Sequence, residues 1–133
     1  MADAIYPLYK QALLEGATII SITTSNVKAV LVDTGTSPYN AAHDFLNDIS
    51  AGVVSTSPNL TGKTVTNGVF DCADFVFTAV SGATVEAIVY YIDTGVSTTS
   101  RLIAFKDSGT GLAVTPNGGD INITVNGSGV FAL

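Results

Sequence analysis

The sequence predicts a mainly β protein, an antiparallel sandwich or Greek-key barrel with two short helices. Three observations carry that expectation. About seven or eight short segments rich in β-branched and aromatic residues recur between Gly, Pro, Asn and Ser turns, at spacings of roughly 8–12 residues. Val85 to Gly95, VEAIVYYIDTG, is the longest nearly unbroken apolar run and reads as a central strand. Asp120 to Asn126 alternates strictly, with Ile121, Ile123 and Val125 against Asn122, Thr124 and Asn126, as a half-buried strand requires.

Taken in order, Tyr6 to Glu15 reads as a helix, with Pro7 in its first turn and Gly16 just past its end. Tyr6, Tyr9 and Leu13 fall near one stripe, joined by Leu14. So short a helix must dock on its own sheet or on a neighbouring subunit. Thr18 to Thr24 is a candidate strand. Val27 to Asp33 is apolar on both faces and should be buried on both. Tyr39 to Ile49 predicts the second helix, because Tyr39, Ala42, Phe45, Leu46 and Ile49 repeat at helical spacing and Ser37 or Asn40 can cap it. Val53 to Gly62 reads mostly as loop. Lys63 to Phe70 and Ala73 to Val80 read as strands, with Asn67-Gly68 a bulge or early turn. Arg101 to Lys106 is a strand, Pro116-Asn117-Gly118-Gly119 the strongest turn, and Val130 to Leu133 a tied-down terminal strand.

A chain of 133 residues is most simply one domain, 1–133, with the N-terminal helical segment 1–16 as a possible contact arm. Only 12% of residues are charged against 47% hydrophobic, which is the reverse of a disordered segment. The net charge is −6 and the five Lys and Arg are scattered singly, so nucleic acid is not an expected partner. No window reaches the ~20 apolar residues of a membrane span, and the first sixteen residues lack the pattern of a secretory signal. A soluble protein made in the cytoplasm is expected, with no membrane partner. Low charge together with abundant Gly, Thr, Ser and Asn suits a surface packed against other proteins.

The sharpest enzyme-like pattern is Asp-Thr-Gly after an apolar strand, at Asp33 and again at Asp93. Aspartic proteases pair two such carboxylates around a shared proton. Against this, no second apolar-apolar-Gly element and no glycine-rich flap accompanies either motif. The simpler reading is an Asp that accepts backbone N–H bonds in a turn. His43 is the only histidine and has no partner at zinc-ligand spacing; it is expected to face solvent from the second helix. Asp71, Asp74 and Asp120 could hold calcium between loops, but they lack EF-hand spacing. Cys72 lies between Asp71 and Asp74, whose charge should raise its pKa and leave it inert. No catalytic, cofactor or metal site is expected.

Taken whole, the chain resembles small virion structural proteins of tailed bacteriophages. The likeness is carried by Ile5-Tyr6-Pro7 through Lys10-Gln11-Ala12-Leu13-Leu14, by Val27-Lys28 through Asp33-Thr34-Gly35-Thr36, and by Tyr39 through Leu46. It continues through the run Ala79 to Gly95 and the late Thr115-Pro116-Asn117-Gly118-Gly119-Asp120-Ile121, so it spans nearly the whole chain. The resemblance implies a virion component without catalysis, assembled in the host cytoplasm. It favours a capsid decoration, or cement, protein that binds the major capsid protein and forms a homo-oligomer, as a trimer. A tail, baseplate or fibre component is the alternative, and an aspartic protease through Asp33 and Asp93 a remote one. Ile5, Tyr6, Tyr9, Leu13, Phe131 and Leu133 are the expected partner contacts.

Overall fold

A computed structural model describes residues 3–18, 21–108 and 112–133. In chain order it contains β1 (Ala4–Ile5), the helix α1 (Pro7–Glu15), β2 (Asn26–Val32), two 3-10 turns (Leu46–Asp48 and Ser50–Gly52) and β3 (Val53–Thr56). There follow β4 (Thr64–Thr66), β5 (Val69–Asp71), β6 (Phe75–Phe77), β7 (Ala87–Asp93), β8 (Leu102–Lys106), β9 (Ile121–Ile123) and β10 (Phe131–Ala132). The protein is mainly β and sandwich-like, and every strand pairing among the described residues is antiparallel.

The main sheet has the order β1-β8-β7-β2-β3, which places the two most apolar strands at its centre. β2 and β7 pair along their full length, from Asn26 opposite Asp93 to Val32 opposite Ala87. Successive side chains alternate between faces. Ile88, Tyr90, Leu31 and Ala29 therefore share one face, and Val89, Tyr91, Val30 and Val32 the other. Each of these eight is buried. The expectation that both faces of this segment are covered thus holds.

The covers differ. On the Tyr90 side lies the β6–β9 ribbon, where Phe75 meets Tyr90 edge-on at 6.1 Å. On the Val89 side lie the start of α1 and the loop after β2. Tyr39 packs edge-on against Phe105 of β8 at 5.3 Å and against Tyr6 at 5.3 Å. A third small sheet, β10-β5-β4, contributes Phe70, which stacks on Phe131 at 5.5 Å.

Asn67 and Gly68 both have positive φ, 51° and 78°, the pair of conformations that a two-residue type I′ hairpin needs. The turn splits the expected strand Lys63 to Phe70 into the hairpin β4–β5. The ribbon is closed at both ends by carboxylates. Asp120, just before β9, accepts the N–H of Ala79 just beyond β6 at 2.8 Å. Asp74, just before β6, accepts the N–H of Val125 just beyond β9 at 2.8 Å.

Three local expectations are corrected. The second helix, Tyr39 to Ile49, does not form; only its end winds into 3-10 turns. Asn40 takes the Ala42 N–H with its side chain, and Asp48 takes those of Asp44 and Phe45. These short polar side chains compete with helix bonding. Phe45 is extended and bridged to Arg101, and the Asp44 carbonyl accepts from Leu102, so this backbone is committed to the edge of β8. Tertiary pairing overrides the helical period.

The candidate strand Thr18 to Thr24 is a turn where it is described, held by the Ser21 hydroxyl on the Thr24 N–H; residues 19 and 20 lie outside the described residues. Within the expected loop Val53 to Gly62, Val53–Thr56 instead adds an edge strand to β2, as its β-branched residues favour.

Candidate functional site

The expected contact residues fall into two groups. Ile5 is half-buried in β1, paired with Ala104 at the edge of β8. The N–H of Tyr6 donates to the Ile103 carbonyl at 3.0 Å. Asp3 accepts the N–H groups of Asp107 and Ser108 at 2.9 and 3.1 Å and faces Lys106 at 3.6 Å. From Asp3 onward, the segment proposed as a contact arm is therefore sewn into the domain.

Tyr6 is fully buried and Tyr9 nearly so. Burial pushes both phenols up, Tyr9 to about 12, with Tyr39 and Asp48 adding to the effect on Tyr6. These two tyrosines fasten α1 to its own sheet, and as contacts for a partner they are withdrawn. Leu13 is half-buried on the same side. The residue the expected set omitted is Leu14, which is 90% exposed. The signal was available. The expectation that Leu14 joins the stripe through Tyr6, Tyr9 and Leu13 is corrected: five residues past Tyr9, at about 100° per residue, it points well away from it.

At the other end, Phe131 is half-buried on Phe70, and Leu133 is 65% exposed with its N–H bound to the Gly68 carbonyl. Val65 and Val96 are the remaining large exposed apolar side chains among the described residues. Val65 lies opposite Phe70, which lies opposite Phe131, so Val65, Phe131 and, two residues on, Leu133 belong to one face of the small sheet. Leu14, Val96 and the Val65–Leu133 rim are thus the places where large apolar side chains stand exposed among the described residues.

The chemistry-bearing residues resolve into structural ties. Asp33 accepts the Gly35 N–H at 2.9 Å and the Thr36 hydroxyl at 3.0 Å. Asp93 accepts the Gly95 N–H at 3.0 Å and pairs with Lys28 at 3.2 Å. Both Asp-Thr-Gly motifs are turns closed by their aspartates. Asn26 lies opposite Asp93, and Asp33 is seven residues further along that antiparallel pair, about 23 Å away at the usual strand rise. At that separation the two carboxylates of one chain do not meet to share a proton.

Asp71 bonds the N–H of Cys72, and Asp74 and Asp120 are held at the ribbon ends. Among the described residues no three His, Cys, Asp or Glu side chains come together to hold a metal. His43 sits in a turn, half-buried, its Nδ1 enclosed without a hydrogen-bond partner, so its expected place on a solvent-facing helix is corrected too. Arg101 stacks on the Phe45 ring at 4.7 Å. No helix among the described residues is long and apolar enough to cross a membrane.

Cys72 is buried, and desolvation, followed by the charges of Asp71 and Asp74, pushes its thiol up from 9.0 to about 11. Only the thiolate attacks. At pH 8 the native protein therefore reacts with iodoacetamide about 100-fold more slowly than the urea-unfolded chain. Comparable rates in the two states would show that the thiol is open to solvent.

Neither the protein-family models nor the curated proteins give a match to this chain.

Proposed function

We propose that this protein is a structural component of a tailed-phage virion, and specifically a capsid decoration protein that bridges adjacent subunits of the major capsid protein. The observation that carries the reading is the pairing of an antiparallel body, covered on both faces of its main sheet, with large apolar side chains left exposed at Leu14 and at Val65 and Leu133. Asp33, Asp74, Asp93, Asp120 and Cys72, the chemistry-bearing residues singled out in the sequence, are engaged in turns, ribbon ends and core. The sequence resemblance supports the same reading.

A lattice protein works by adding buried area across a seam, so its contacts must be rigid and apolar rather than mobile and charged. Leu14, Leu13, Phe131 and Leu133 are the proposed contacts, with Ile5 at the base of α1. Assembly into a homo-oligomer, as a trimer, engages several capsid subunits at once and lets modest interfaces hold firmly.

Imaging particles with and without the protein at subunit resolution tests the proposal. Density at symmetry-related seams of the head is the expected result. Density confined to the tail or its tip would move the protein to a tail, baseplate or fibre role, and absence from purified particles would overturn a virion role.

A further inference from the structure

Three asparagines stand directly before a glycine: Asn67, Asn117 and Asn126. In such a pair the glycine nitrogen can attack the side-chain carbonyl carbon of the asparagine, because no Cβ stands in its way. All three pairs are exposed, so exposure does not rank them. Hydrogen bonding does. A donor on the asparagine Oδ1 draws electrons from Cγ and holds the negative charge that attack places on the oxygen. An acceptor on the glycine N–H instead holds the proton that must leave.

At Asn117 the two effects oppose each other. Its Oδ1 accepts the Gly119 N–H at 3.0 Å, but the Gly118 N–H donates to the Val80 carbonyl at 2.7 Å. Asn67 lies in the two-residue turn closed by the Thr66–Val69 pair, with φ of 51° and no bond to its side chain among the described residues. Ring closure fixes the ψ of the asparagine, and so tight a turn has no slack for it.

At Asn126 the effects act together. Its Oδ1 accepts the Ser128 N–H at 2.8 Å, while the Gly127 N–H donates to nothing among the described residues. The Gly129 N–H also bonds the Asn126 backbone carbonyl at 2.8 Å, which steadies the charge on the Gly127 amide as its proton leaves. The pair stands between β9, which ends at Ile123, and β10, which begins at Phe131, so no strand pairing holds it.

We propose that Asn126 is a self-modification site, where the folded chain converts its own asparagine to aspartate and isoaspartate. The Gly127 nitrogen gives its proton to water and bonds to Asn126 Cγ. The bond from Cγ to Nδ2 breaks, and the nitrogen leaves as ammonia. Water then opens the five-membered imide at either carbonyl. One product is aspartate; in the other the backbone runs through the side chain and is one atom longer. That atom enters between two tied points, the Val125 N–H on Asp74 and the Val130 N–H on the Phe70 carbonyl. Either product adds a negative charge to a chain that carries −6. The site does not depend on where the protein serves.

The test is to hold the full chain in mildly alkaline buffer at body temperature and follow amide-to-acid conversion by mass spectrometry of tryptic peptides. Cleavage after Arg101 and Lys106 puts Asn67 on a different peptide from the other two, and fragment ions separate Asn117 from Asn126. Asn126 is expected to convert fastest, with Asn117 about tenfold slower because the Gly118 bond must first break. Asn67 should be several-fold slower. In guanidinium chloride the three rates should come within a few-fold of one another. Native conversion at Asn67 or Asn117 as fast as at Asn126 overturns the proposal. So does the same ranking in denaturant, which would trace the rates to local sequence. Gly127→Ala is the chemical control: its Cβ meets nothing within 4 Å and its φ is not positive, so the fold is kept. Conversion at Asn126 should slow several-fold in this variant while that at Asn67 is unchanged. An unchanged rate at Asn126 would rule out attack by the Gly127 nitrogen.

Discussion

Replacing Phe105 with alanine lowers the unfolding free energy by about 3–5 kcal/mol. Phe105 is 2% exposed and sits where three parts of the chain meet. It pairs with Val89 on one side and with Ala4 on the other, and its ring touches that of Tyr39, which touches that of Tyr6. Truncation leaves a cavity under the start of α1 and removes an edge-on aromatic contact as well. Urea unfolding checks the value, and Phe105→Leu should lose clearly less. A loss below about 1 kcal/mol for the alanine variant would show that the helix is not fastened through this aromatic chain.

Gly129→Ala is the second large effect, at about 3 kcal/mol, and its cause is steric. Gly129 has φ of +102°, and a Cβ there would lie 2.5 Å from Val69 Cγ1 and 2.9 Å from the Phe70 carbonyl oxygen. The backbone oxygen cannot step aside, because it accepts the Val130 N–H at 2.7 Å. Gly118→Ala is the control. Its φ is +88° with nothing within 4 Å, so it loses only the dihedral term, about 1–2 kcal/mol. Thermal melts of the pair should rank Gly129→Ala well below Gly118→Ala. Equal losses would show that the close approach relaxes.

The β-rich class and the doubly buried centre were legible because Val27–Val32 and Ala87–Ile92 carry apolar residues at every parity, a pattern that permits few alternatives. The half-buried ribbon strand was legible from the alternation of Asp120 to Asn126, though only Ile121–Ile123 pairs, and the raised thiol pKa only in part, because burial contributes more to it than the two flanking aspartates. The second helix misled because Phe45 and Leu46 sit at helical spacing while their backbone bonds go to Arg101 and Ser100. Those partners lie more than fifty residues away, beyond the reach of any local window.

The contact set was legible in part for a related reason. An apolar residue predicts burial without saying whether its cover is its own domain. Tyr6 and Tyr9 found that cover within the chain, while Leu14 and Leu133 did not.

The strand order of the main sheet also sets a timetable. Val27 lies opposite Ile92, so at about 5–20 residues per second the ribosome takes about 3–13 s to supply the second after the first. Until then the growing chain exposes the apolar run of β2 with only the short edge strand β3 available to it. β1 waits longer still, for Ala104 and Phe105. Of the strands of this sheet, β1 is made first and placed last, and the sheet closes only once β8 has been made rather than growing outward from β1.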